Sequence, residues 1–171
     1  LATKNAPQLF GALLARTTDA PTLSELLRLL SALLADAARA ASVHKAGSAA
    51  ASLLSRWLES LGEKACLAAL AFFMNNTLRS DVLVRVCTLL STLLYACSIA
   101  DQSTTSSALA VKLLSLGTLP SLADLTASLL ASRDQPVAAG PAPPSDEASI
   151  TAVLQLIDRL ATAATPGTTA L

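Results

Sequence analysis

Apolar side chains return every three or four positions along nearly the whole chain, and polar residues break the rhythm only at short intervals. This period belongs to helices that bury one side, whereas half-buried strands alternate. Pro7 to Arg16 predicts a first helix, opened by a proline in its first turn, with Leu9, Phe10, Leu13 and Leu14 on one side. Thr17-Thr18-Asp19-Ala20-Pro21 reads as a turn, and a long helix follows from about Thr22. Its Leu26, Leu27, Leu29, Leu30, Leu33, Leu34, Ala37 and Ala38 make a wide apolar surface, leaving Glu25, Arg28, Ser31, Asp36 and Arg39 as a narrow polar stripe. A helix this apolar must be covered on more than one side.

Ser42 to Gly47 reads as a short element stopped by a glycine. Ser48 to Leu61 predicts a helix with Leu53, Leu54, Trp57, Leu58 and Leu61 together and Ser52, Arg56 and Glu59 opposite, ended by Gly62. Lys64 to Thr77 predicts the next, broken at Asn75-Asn76-Thr77. Val82 to Ala100 is the most apolar segment, and its polar residues Arg85, Thr88, Thr92, Tyr95 and Ser98 recur at helical spacing to form one stripe. After a polar break at Asp101 to Thr105, helices are expected from Ser106 to Gly117 and from Pro120 to Ser132. A Pro-rich loop at 134–145 precedes a last helix carrying Ile150, Val153, Leu154, Ile157 and Leu160, and the tail at 165–171 is expected to fray.

Composition sharpens this reading. Hydrophobic residues make up 53% of 171, mostly Leu and Ala, while aromatics supply 3%. Leu and Ala favour helix, so an all-α fold of about seven or eight helices in one domain, 1–171, is expected. Twelve basic and twelve acidic residues cancel without forming a basic block, which disfavours nucleic acid as a partner. Cys66, Cys87 and Cys97 lack metal-ligand spacing and sit in apolar runs, as buried thiols of a reducing compartment do. An intracellular, cytoplasmic location is therefore expected, or a mitochondrial one after removal of a targeting peptide. No secretory-signal pattern is visible at the Leu1 end.

The offset that carries the helix start at Pro7 onto the helix start at Ser48 also carries Leu26 onto Leu67, in the more apolar helices that follow. A period of about 40 residues belongs to helical repeats. Ala41-Ser42-Val43-His44-Lys45-Ala46-Gly47 resembles the short first helix of an armadillo repeat, with Ser48 to Ser60 in the place of its second helix. Leu109 to Gly117 followed by Thr118 to Asp134 is similar to the same junction, with Glu147 to Ala161 as the third helix. The resemblance implies a short right-handed α-solenoid of armadillo/HEAT-like repeats. Two departures accompany it: the interval from Gly47 to Gly117 is neither one period nor two, and Trp57 falls on a second helix.

His44, the one histidine, has no nucleophile or carboxylate partner nearby in sequence, and no phosphate loop, zinc motif or paired carboxylates occur. No catalytic, metal or cofactor residue is therefore expected, and a small-molecule ligand is disfavoured. Trp57 shares a face with leucines, a core pattern, although tryptophan also anchors interfaces. Trp57, Arg56, Asn75 and Asn76 stand as the candidate partner-binding residues, Asn75 and Asn76 because the resemblance places them on a groove-facing third helix. Helix termination is the simpler account of that pair. The expectation is a non-enzymatic protein-binding scaffold or a structural subunit of a larger assembly, with other protein chains as partners. The alternative is a membrane-associated subunit using 82–100 as a spanning or inserted helix, a segment close to the length a bilayer requires.

Overall fold

The computed structural model describes residues 6–17, 19–43, 48–76, 80–100, 103–133 and 145–164. These form eight helices: α1 (Ala6–Arg16), α2 (Ala20–Val43), α3 (Ala49–Leu61), α4 (Lys64–Asn76), α5 (Ser80–Ile99), α6 (Ser103–Ser115), α7 (Thr118–Arg133) and α8 (Ser145–Ala164). No strand occurs among the described residues. The Pro-rich loop, the tail and His44 lie outside them.

Local chemistry accounts for the element ends. Asp19 caps α2: its Oδ2 accepts from the Thr22 backbone N–H at 3.0 Å and from the Thr22 hydroxyl at 2.6 Å. A capping carboxylate next to Pro21 starts the helix at Ala20, earlier than the apolar pattern indicates. Ser48 caps α3 in the same manner, accepting from the Ala51 N–H at 3.2 Å. Gly62 closes α3 by donating to the Leu58 carbonyl at 2.9 Å. Gly117, at φ +73°, turns the chain between α6 and α7. The Thr118 hydroxyl, buried at that corner, donates to Leu113 O at 2.8 Å.

The packing repeats every three helices. α2, α5 and α8 form one layer, with α5 between the other two, and α1, α4 and α7 form a second. α3 touches α1, α2, α4 and α5, and α6 touches their counterparts α4, α5, α7 and α8. Shifting any contacting pair by three helices gives another contacting pair wherever the chain supplies it. Within the first layer the helices run parallel, start beside start: Ser24 Oγ donates to Asp81 Oδ2 at 3.2 Å, and Arg159 near the far end of α8 lies over Tyr95 near the far end of α5.

This packing corrects the register read from the sequence. α2 continues unbroken to Val43, so Ala41-Ser42-Val43 belongs to its last turn, not to a separate short helix. Equivalent helices begin at Ala20, Ser80 and Ser145, a step well beyond the offset from Pro7 to Ser48. Leu- and Ala-rich helices align in almost any register, which is why the shorter offset looked periodic. The polar stretch at Asp101 to Thr105 is likewise shorter than its composition implies, because α6 already begins at Ser103.

One hydrophobic core runs from Leu14 through Leu30, Leu67, Leu90 and Val153 to Leu160. α5 is its axis. Val86, Cys87, Leu89, Leu90, Leu93 and Ala96 are fully enclosed by the surrounding helices. By length and composition α5 could cross a bilayer. Contact with α2, α3, α4, α6 and α8 gives its apolar residues protein neighbours instead.

Candidate functional site

α5 is covered everywhere except along its polar stripe, where Thr88, Tyr95 and Ser98 are exposed and Arg85 and Thr92 half-buried. That stripe is the floor of a face walled by α2 on one side and α8 on the other. Two cavities open on it. The first, of about 460 Å³, is lined by Arg28 and Ser31 of α2, Asp81, Val84, Arg85 and Thr88 of α5, and Ala148 of α8. The second, of about 350 Å³, is lined by Thr88, Ser91, Thr92 and Tyr95 of α5 with Gln155, Asp158 and Arg159 of α8. Thr88 belongs to both, so the two form a continuous groove.

An ion-pair network sets the first cavity. Arg28 Nε lies 2.8 Å from Glu25 Oε2, and Arg85 Nη2 lies 3.7 Å from Glu25 Oε1. The hydrogen bond from Arg28 and the two guanidinium charges hold the Glu25 carboxyl below its usual pKa. Two cations thus share one carboxylate, and their stems wall a hollow that Asp81, Ser31 and Thr88 also line. In the second cavity the Arg159 guanidinium carbon sits 5.2 Å from the Tyr95 ring centroid, a cation–π contact.

The threonines of the stripe turn inward. Thr88 and Thr92 donate to the Val84 and Thr88 carbonyls at 2.7 and 2.8 Å, so their oxygens offer the groove only lone pairs. Ser91 does otherwise: its Oγ is buried and has no hydrogen-bond partner among the described residues. A buried unpaired hydroxyl is costly, and it lies on the groove wall.

The residues singled out from sequence fall elsewhere. Trp57 is only 5% exposed and stacks on Phe10 with ring centroids 5.8 Å apart, so it is a core residue joining α3 to α1. Arg56 is exposed on α3, outside the groove. Asn75 is exposed at the end of α4, and Asn76 is that helix's last residue. α4 packs in the α1/α4/α7 layer, whereas the groove is lined by α2, α5 and α8. Asn75 and Asn76 terminate a helix on the other layer.

A third cavity, about 290 Å³, lies between α3, α5 and α6, bordered by Glu59, Cys97 and Lys112. Lys112 Nζ donates to Gly62 O at 3.3 Å, tying α6 to the end of α3. Burial pushes the thiols of Cys66 and Cys97 up to about 11 and Cys87 to about 12, so all three stay protonated at neutral pH. No group of three metal-ligating side chains occurs among the described residues.

The described chain is therefore an all-helical protein whose packing repeats by threes and which carries a groove over α5. Comparison with protein families, with curated proteins and with solved structures finds no match.

Proposed function

We propose that the chain is a non-enzymatic protein-binding scaffold, a short α-solenoid that holds its partner along the groove of α2, α5 and α8. The observation that carries this reading is the three-helix shift in the packing. Stacked repeats leave one helix of each unit on a common face, and such faces serve as extended binding surfaces. Support comes from the groove's mixture of arginine stems, threonine oxygens and an exposed Tyr95, which suits a partner side chain better than a reaction centre.

The test is affinity purification of the tagged protein beside a groove variant, Thr88→Arg, whose site is exposed and so leaves the core alone. A partner recovered with the parent at fixed stoichiometry and lost with Thr88→Arg supports the groove. The same partners recovered with both proteins would remove it as the binding surface.

A further inference from the structure

The lining of the first cavity decides which polar group it can accept. Ser31 Oγ donates to the Leu27 carbonyl at 2.9 Å and Thr88 Oγ1 to the Val84 carbonyl at 2.7 Å, so both hydroxyl hydrogens are spent on helix backbone. Asp81 accepts from Ser24 Oγ at 3.2 Å, and a carboxylate has no hydrogen to give. Among the described residues lining the cavity, the side-chain donors left to it belong to Arg28 and Arg85. These two are held unequally. Arg28 lies 2.8 Å from Glu25, whereas Arg85 stands 3.7 Å from that carboxylate, beyond hydrogen-bond reach, and makes no hydrogen bond with any other described residue. The Arg85 side chain is 30% exposed against 63% for Arg28, so the less hydrated cation is also the less satisfied one. A partly desolvated guanidinium with free donors favours the arrival of an acceptor.

We infer that the first cavity receives the carboxylate of an acidic side chain, Asp or Glu, carried by a segment of the protein partner, with Arg85 and Arg28 as the groups that hold it. The inference rests on the reading of the groove as the partner-binding face and names the chemistry of that partner. Charge selects the carboxylate. Glu25, 61% exposed, swings into water when another acceptor reaches the guanidiniums. Arg28, Arg85 and Asp81 then leave one net positive charge on the cavity, which a single carboxylate neutralises and a doubly charged phosphate would exceed. The planar fork of a guanidinium matches the two oxygens of a carboxylate. Val84, Ala148 and the arginine stems give the methylenes of the incoming side chain apolar contact. Thr88 leads from there into the second cavity, so the partner's chain continues along α5 toward Tyr95.

A random-sequence peptide library displayed on phage and selected on the parent chain supplies the probe. Binders lost on Thr88→Trp, which fills the groove without adding charge, are expected to share an acidic residue at one position. Calorimetry then measures their affinities. Changing that residue to its amide, or Arg85→Gln in the protein, is expected to weaken binding on the order of 10- to 100-fold, and both changes together little more than either alone. Glu25→Gln is expected to tighten binding several-fold by freeing the two cations, whereas a merely structural role for the network predicts weakening. Circular dichroism melts confirm that the variants fold, and Arg28→Gln, at the more exposed arginine, repeats the cycle should Arg85→Gln unfold. Groove binders without a shared acid, losses that simply add, or a Glu25→Gln that weakens binding would each overturn the inference and leave the proposed function standing. A library with no binder sensitive to Thr88→Trp removes the groove as the binding surface, and this inference with it.

Discussion

At Ser91 the helix carries a hydroxyl that neither its own backbone nor a neighbour uses, while Thr88 and Thr92 beside it close on carbonyls one turn back. Removing that group relieves an unpaired buried oxygen and installs the better helix former. Ser91→Ala is therefore expected to stabilise the isolated chain by about 1 kcal/mol, read as a rise of roughly 2–4 °C in Tm. Trp57 gives the opposite sign. Its truncation leaves Phe10 facing a cavity, and Trp57→Ala should cost about 3–5 kcal/mol in urea unfolding; a cost below about 1 kcal/mol would mean a surface residue. The cysteines supply a pH dependence. Their folded pKa values, about 11 to 12, lie above the ordinary 9.0, so between these limits the unfolded chain loses protons that the folded chain keeps. Stability is fully present below pH 9 and falls above it, by up to about 1.4 kcal/mol per pH unit for each thiol. Denaturant melts from pH 8 to 11 would detect this, and Cys87→Ala should flatten the slope.

Among the elements, the corners between helices separate two uses of glycine. Gly117 has positive φ and open space around its Cβ position, so Gly117→Ala costs only backbone strain, about 1 kcal/mol. Gly62 has ordinary φ, but an added Cβ would meet Leu58 O at 2.6 Å, so Gly62→Ala must move backbone and is expected to cost more. Thermal melts of the two variants rank them. Much at this scale was legible in the sequence. The stripe of Arg85, Thr88, Thr92, Tyr95 and Ser98 was readable because α5 is enclosed on every other side, and its polar residues could lie only where the groove is. Half of the groove's other wall was readable too, as Arg28 and Ser31 in the polar stripe of α2. The α8 wall was not, since Gln155, Asp158 and Arg159 gain meaning only from contact with a helix three elements earlier in the chain. The same separation hid the repeat: composition paired Pro7 with Ser48 and Leu26 with Leu67, whereas packing pairs α2 with α5.

In the whole molecule everything converges on α5, which touches both of its layer neighbours and joins the two helical layers. Removing α8 should therefore disturb more than the end of the chain. A version stopped at Arg133 loses the cover of one flank of α5 and is expected to unfold at lower temperature and to bind hydrophobic dyes, which fluorescence measures directly. If it melts like the parent, α5 does not depend on α8.

This arrangement bears on how the chain is made. Synthesis proceeds from α1 to α8, and α5 is complete at Ile99 while α8 ends only at Ala164. At about 5–20 residues per second, the intervening stretch occupies the ribosome for roughly 3–13 s. Until α8 is made, this helix, apolar enough for a bilayer, has one flank still waiting for its cover. At that stage the growing chain carries an uncovered apolar flank that the folded protein does not.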